Sequence, residues 1–232
     1  MQQATQTAPA TAAAKPPKPT PPLEFQEGDI AKMDAAGLVK ILSDANASEF
    51  QKARACQRAG ELGAKDAVPA MAALLSDEHL NTYARYGLEP IADPSVDEAL
   101  RASLPKLKGL FLIGVINSIG KRRDAKAVPE LTKLMSDADP QIATAAIASL
   151  GKIGGVATMK QLLGALPKTS GAVHLAVADA GLVCAESLLA EGQRDHALNL
   201  YGYLSSPAIP KPVRLAAMNA IIREETSTRR PR

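Results

Sequence analysis

Side chains that could bind a protein partner are concentrated in one short stretch of the sequence. The chain has four Tyr, three Phe and no Trp, yet Tyr83 and Tyr86 lie on either side of Arg85. Tyr and Arg are over-represented at the energetic hot spots of protein interfaces. The apolar stripe of the predicted helix is supplied by other residues, which leaves the two tyrosines at its edges: Leu80, Ala84, Gly87, Leu88 and Ile91. We expect Tyr83, Arg85 and Tyr86 to contact a partner, with packing between neighbouring helices as the alternative.

The basic cluster Lys121-Arg122-Arg123 is a second candidate, because its two arginines could bind an anionic ligand or an acidic partner. A solvated loop is the alternative, since cations are favoured at the C-terminus of a helix by its dipole. Asn117 interrupts the apolar run 110–119. Its side chain either forms a hydrogen bond between helices, because a buried amide needs hydrogen-bond partners, or contacts the bound protein.

No arrangement of residues is typical of a catalytic or metal site. The three histidines, His79, His174 and His196, fall in different predicted helix pairs. Cys56 and Cys184 lie far apart in apolar helical segments, where a free cysteine usually behaves as a small buried hydrophobic residue. No serine has the Gly-x-Ser-x-Gly surroundings of a nucleophile elbow. We therefore expect no catalytic residue, no metal and no cofactor.

The composition favours an all-α protein. Hydrophobic residues make up 46% of the 232 residues and aromatic residues only 3%, so the core must be built from small aliphatic side chains that suit closely stacked helices. The net charge is +3, of which residues 1–24 contribute +1 and residues 223–232 contribute +2. The neutral body argues against a nucleic-acid partner. No stretch approaches the ~20 apolar residues of a transmembrane helix, and we expect no membrane span.

An internal repeat organises the chain. Residues 68–77 align with residues 128–137 without a gap, at an offset of 60 residues, and residues 96–104 have the same apolar rhythm between them. The repeating unit is therefore about 30 residues long, a period typical of helical solenoids.

Glycine and aspartate are predicted to mark the helix ends. Glycine favours the left-handed conformation that stops a helix, and we predict stops at Gly63, Gly120 and Gly151. Aspartate is a good N-cap, and we predict N-caps at Asp66, Asp93 and Asp124.

Extending the pattern predicts about six helix pairs, which stack because one pair cannot bury its apolar face alone. We predict a Pro-, Ala- and Thr-rich tether over 1–29, a solenoid over 30–224 and a flexible basic tail over 225–232. Residues 215–222 are still apolar without an evident polar cap, so we expect the chain to be a piece of a longer array. The predicted pairs are 34–44 with 48–62, 66–76 with 79–90, 94–104 with 107–119, 125–136 with 140–153, 156–166 with 170–191, and 193–205 with 210–224.

The pattern Asp-Ala-Val-Pro-x-x-x-x-Leu-Leu-x-Asp at 66–77 and the Ala-rich helix ending Leu-Gly at 140–151 resemble HEAT repeats of the phycobilisome-lyase-like kind. Residues 83–94 and 114–120 resemble the N-terminal part of larger bacterial HEAT-repeat proteins, which are often exported. The resemblance implies a right-handed α-α superhelix whose second helices line the concave face. It also implies an exported or periplasmic location.

The leading hypothesis is a non-catalytic scaffold that binds another protein or a peptide on this concave face. Its candidate contacts are Tyr83, Arg85, Tyr86, Asn117, Arg122 and Arg123. Two alternatives stay open, namely an enzyme accessory of the chromophore-lyase kind and a nucleic-acid-binding HEAT array.

Overall fold

The computed structural model describes residues 29–228. The tether predicted for residues 1–29 therefore lies, apart from Asp29, outside the described residues, and so do residues 229–232 of the predicted tail. The described part of the chain is a stack of helices and contains no β-strand.

Twelve α-helices form six consecutive pairs within residues 29–228, as predicted. The last helix continues past the predicted solenoid boundary at 224. The pairs are α1 (Ala35–Ser43) with α2 (Glu49–Leu62), α3 (Val68–Ala73) with α4 (Asn81–Leu88), α5 (Pro94–Ser103) with α6 (Gly109–Arg122), α7 (Val128–Leu134) with α8 (Pro140–Ile153), α9 (Gly155–Ala165) with α10 (Gly171–Ala190), and α11 (Arg194–Leu204) with α12 (Lys211–Thr228). Short 3-10 helices adjoin several of them, at Ile30–Lys32, Lys65–Ala67, Leu74–Ser76, Leu104–Lys106, Ala125–Ala127 and Leu166–Lys168.

The two halves of the sequence repeat occupy equivalent places in the fold. Val68 and Val128 are both buried, and each is the first residue of a short α-helix that follows a 3-10 turn. In both helices a proline comes next, in the first turn, where its missing N–H removes no helical hydrogen bond. The predicted repeat is thus confirmed at the level of local structure.

The predicted N-caps are confirmed at two positions and wrong at the third. Asp93 accepts a hydrogen bond from the backbone N–H of Ser95 at the start of α5, and Asp124 caps the 3-10 turn before α7. Asp66 instead lies inside the 3-10 helix Lys65–Ala67. At the offset of 60 residues the counterpart of Asp124 is Ala64, so Asp66 and Asp124 do not occupy equivalent positions of the repeat.

Glycine stops one helix and brings others together. Gly63 has φ +63° and ends α2, as predicted. Gly120 and Gly151 are not helix stops, because α6 continues to Arg122 and α8 to Ile153. A Cβ atom at Gly120 would lie 2.6 Å from Oγ of Ser149, and one at Gly151 would lie 2.8 Å from the carbonyl oxygen of Ala180. These two glycines allow neighbouring helices to approach closely.

The same close approach joins α2 to α4. A Cβ atom at Gly60 would lie 2.8 Å from the carbonyl oxygen of Gly87, and one at Gly87 would clash with the backbone of Cys56. The second helices α2, α4, α6, α8, α10 and α12 form a layer with five junctions between neighbours. At three of these junctions, α2–α4, α6–α8 and α8–α10, a glycine allows the two helices to approach closely. The first helices form the other layer, in which α1, α3 and α5 contact in turn and α7 contacts α9.

We expected no segment that could span a membrane, but α10 is long and apolar enough to do so. By length and composition alone, Gly171–Ala190 is the one helix within the described residues that could cross a bilayer, and 44% of its 18-residue apolar window is buried inside the structure. It packs against α8, α9, α11 and α12. A core helix of a soluble protein passes the same test of length and composition.

Both cysteines are free and fully buried, as predicted. Burial raises the pKa of the Cys56 thiol from its ordinary 9.0 to about 12. Burial, with a smaller contribution from Glu191, likewise raises the pKa of Cys184 to about 12. Both side chains are therefore held as neutral thiols inside the second-helix layer.

We predict that Gly87→Ala destabilises the fold by about 3 kcal/mol, because the added methyl group meets the backbone of α2 and overpacks the junction. Gly164→Ala is the matched control, since Gly164 is exposed in α9 and nothing lies within 4 Å of its Cβ position. This control should gain about 0.5–1 kcal/mol from helix propensity. Urea unfolding followed by circular dichroism measures both, and equal effects would contradict the close α2–α4 contact.

We predict that neither thiol of the native protein reacts with a disulfide reagent at pH 8, and that both react after unfolding in urea. The thiolate is the reactive form, and the raised pKa values keep it scarce. Since unfolding returns each pKa to its ordinary value, the free energy of unfolding should fall as pH rises from about 9 towards 12. Removing both thiols in Cys56→Ala/Cys184→Ala should flatten that part of the pH profile. Rapid labelling of the folded chain would contradict the burial.

Candidate functional site

The exposed large apolar side chains are distributed very unevenly between the two layers. Ten such residues occur within residues 29–228, and nine of them lie on second helices of the pairs. An apolar surface confined to one side of a protein marks an interaction site more often than scattered exposed residues do. The nine are Leu62, Tyr83, Tyr86, Leu110, Leu175, Val183, Leu215, Met218 and Ile222, and the tenth is Tyr203 on α11.

Tyr83 and Tyr86 are both exposed on α4, to 49% and 63% of their surface. Neither belongs to the buried residues of that helix, which are Ala84, Gly87 and Leu88. Tyr86 lines a shallow depression of about 340 Å³ together with Gly60 and Lys121. The two rings are thus presented on the second-helix layer, at the edges of the core stripe.

Arg85 and Asn117 come together from different helices. Both line a cleft of about 680 Å³ between the N-terminal halves of α4 and α6. Arg85 is half-buried, and its guanidinium lies against α6 where Gly114 leaves room for it. Asn117 is exposed, so the expected buried hydrogen bond between helices is wrong for this side chain.

Arg122 is used inside the fold. Its Nε donates to a carboxylate oxygen of Asp97 at 2.5 Å, and only 10% of its side chain is exposed. Its remaining nitrogens donate to the backbone carbonyl oxygens of Glu89, Ile91 and Asp93 at 2.9, 2.7 and 3.3 Å. A guanidinium that is occupied on all sides is not available to a partner, so Arg122 is a structural residue that joins the second pair to the third.

The rest of the basic cluster is divided between the fold and the solvent. Lys121 forms an ion pair of 2.6 Å with Glu89, and Glu89 also accepts a hydrogen bond of 2.8 Å from the Ser118 hydroxyl. Arg123 is exposed and ends α6 in the left-handed conformation, with φ +55°. At the offset of 60 residues Arg123 is the counterpart of Gly63.

The most exposed apolar side chain of this surface was missed by sequence reasoning. Leu110 is 76% exposed on α6 and lines the cleft with Asn117. The buried stripe of α6 includes Leu112, Val115 and Ile119. Leu110 lies seven residues before Asn117, which places both on the same face of a helix. That spacing was the signal that Leu110 does not belong to the core.

Two properties of the site bear on its chemistry. Among the described residues, no group of three or more His, Cys, Asp or Glu side chains could hold a metal ion. The groups that line the cleft between α4 and α6 are amides, hydroxyls, cations and apolar side chains, with one carboxylate from Glu78. Such a lining is suited to binding.

Comparison with known proteins finds a family model that matches part of the chain and solved structures that are similar to it. Residues 110–180 match the family model of HEAT repeats, and this segment, which runs from α6 into α10, carries HEAT repeats. Among solved structures the chain is similar to the complex of CpcE and CpcF of phycocyanin lyase from a Nostoc species, with 16% sequence identity, a TM-score of 0.43, and coverage of 92% of this chain and 98% of that chain. No curated protein matches the sequence significantly.

We predict that Arg122→Ala lowers the free energy of unfolding by about 2–4 kcal/mol, because it leaves Asp97 and three carbonyl oxygens without their donor. The neighbouring change Arg123→Ala removes the same charge from an exposed position and should stay within about 0.5 kcal/mol of the wild type. Chemical denaturation of the two variants measures both free energies of unfolding and so tests whether Arg122 has a structural role that Arg123 lacks. A similar loss for both would mean that Arg122 acts only through its charge.

Proposed function

We propose that this protein is a scaffold that binds another protein or a peptide on the exposed surface of its second helices. The observation that supports the proposal is the placement of nine of the ten exposed large apolar residues within residues 29–228 on those helices. Burial of such a surface by a partner is favourable by roughly 25 cal/mol per Å² of apolar area.

The packing of the two layers supports a concave binding face. Glycine at three of the five second-helix junctions brings those helices close together. In a curved double layer the more closely spaced layer lies on the inside. We therefore place the second helices on the concave side, where a bound chain meets several helices at once.

The proposed contacts of this face are Tyr83 and Tyr86 as aromatic anchors, with Arg85 and Asn117 in the adjacent cleft. Tyr buries a large area and loses little conformational freedom, which suits it to such a role. Arg123 is proposed as a contact at the edge of the face. Arg122 is left out, because its guanidinium is occupied within the fold.

The chemistry of the exposed surface favours a protein or peptide over a nucleic acid. A nucleic-acid-binding face needs closely spaced cations that replace phosphate counterions. Here the second-helix layer presents mainly tyrosine and aliphatic side chains, and Lys121 and Arg122 of the basic cluster are neutralised by Glu89 and Asp97.

We predict that Tyr83→Ala and Tyr86→Ala each weaken peptide binding at least about tenfold, the effect expected of an interface hot spot. Ligands would be selected from a randomised peptide display library on the immobilised full chain, and affinities measured by fluorescence anisotropy. Tyr203→Ala is the matched control, since Tyr203 is exposed to 43% on the first-helix layer, and it should leave the affinity unchanged.

Two results would contradict the proposal. A library that yields no enriched peptide would argue against peptide binding. Peptides whose affinity falls with Tyr203→Ala and not with the α4 variants would move the binding face to the other layer.

A further inference from the structure

The junction between α4 and α6 departs from the pattern of the three second-helix junctions that close through glycine. At α2–α4, α6–α8 and α8–α10 a glycine meets a backbone atom or a small side chain of the neighbouring helix. At this junction the Arg85 side chain lies between the helices, and a Cβ atom at Gly114 would be 2.7 Å from its Nε. The bulk of the guanidinium keeps the N-terminal halves of α4 and α6 apart, and the cleft of about 680 Å³ lies there.

The Arg85 guanidinium in this cleft has few hydrogen-bond acceptors in the described part of the chain. Nε of Arg85 is buried, and it finds no hydrogen-bond partner among residues 29–228. The polar contact of its Nη2, with Oγ1 of Thr82, is long at 3.5 Å. A buried charged donor without an acceptor is costly, and the cost is recovered when an anion is bound.

The surroundings of Arg85 add positive charge. Lys108 lines the same cleft and is exposed at its rim. It also occupies the N-cap position of α6, which has no side-chain cap hydrogen bond, so the positive end of the helix dipole lies nearby. Glu78 is the one acidic residue of the lining, and no ion pair joins it to Arg85 within the described residues. Two cations and one carboxylate leave an excess charge of one.

The other wall of the cleft is apolar. Leu110, Phe111 and Ile113 line it, and Leu110 is 76% exposed. A ligand that fits both walls carries one negative charge beside a large aliphatic group.

We infer that this cleft binds an aspartate or glutamate side chain of the partner peptide, with an adjacent aliphatic residue packed on Leu110. This inference rests on the proposed scaffold function and names the chemistry of its ligand. The carboxylate pairs with Arg85 in the interior and with Lys108 at the rim. A phosphorylated residue is disfavoured, because its second negative charge would meet the Glu78 carboxylate with no further cation to balance it.

The test uses peptides enriched by display selection on the full chain. We expect an acidic residue next to Leu, Ile, Val or Met to be over-represented among them. One enriched peptide is then synthesised in three forms, with the acidic residue kept, replaced by its amide, or replaced by phosphoserine. The acidic form should bind at least about tenfold more tightly than the amide form.

Variants of the chain test whether the preference for the acidic over the amide peptide arises in the cleft. Arg85→Gln should abolish the difference between the acidic and amide peptides, which a double-mutant cycle measures as coupling. Gly114→Ala should weaken binding of the acidic peptide by displacing the guanidinium while leaving thermal stability close to that of the wild type. Lys160→Gln removes an equivalent charge from the exposed face of α9 and should change nothing. Circular dichroism confirms that each variant is folded.

The outcomes separate this inference from the proposed function. If peptides bind and respond to Tyr86→Ala but show no coupling to Arg85, the scaffold stands and the carboxylate site is rejected. Tighter binding of the phosphoserine form rejects the assignment to a single carboxylate. If no peptide is enriched, both are rejected.

Discussion

The close approach of neighbouring second helices is the constraint on which the rest of this structure depends. Gly60, Gly87, Gly120 and Gly151 each occupy a place where a Cβ atom would lie within about 3 Å of the next helix. Interiors packed to native density tolerate little added volume. The glycines therefore set the spacing of one layer.

The junction between α4 and α6 is built differently from the three that close through glycine, and a cleft of about 680 Å³ lies in it. Here the two helices meet around the Arg85 guanidinium. The C-terminal ends of these two helices are held by a separate set of contacts, in which Glu89 binds Ser118 and Lys121 and Arg122 binds three backbone carbonyl groups. Polar contacts thus hold the C-terminal ends of the two helices together, while their N-terminal halves are separated by the cleft.

The sequence predicted the helix pairs and their order, because apolar periodicity and a gap-free repeat report directly on local structure. It predicted the buried thiols for the same reason, and it placed Tyr83 and Tyr86 beside the apolar stripe while leaving partner contact and packing between helices open. It could not predict which residues meet across the repeat. Gly120 resembled a helix stop in the sequence, but in the structure it lies against Ser149 of the next second helix. Arg122 resembled a surface cation, because its partner Asp97 lies on a different helix. These errors share one cause, since side-chain roles between repeats depend on the spacing of the layers, which no single helix encodes.

The polar contacts around Glu89 and Arg122 also have a mechanical consequence. They fix only one end of the α4–α6 junction, while the other end is separated by a side chain. In the junctions on either side, a glycine already lies in close contact with the neighbouring helix, which leaves no space to compress at that point. A bending load on the array therefore turns the first two helix pairs against the last four about the fixed end, and the width of the opening between α4 and α6 changes with that angle.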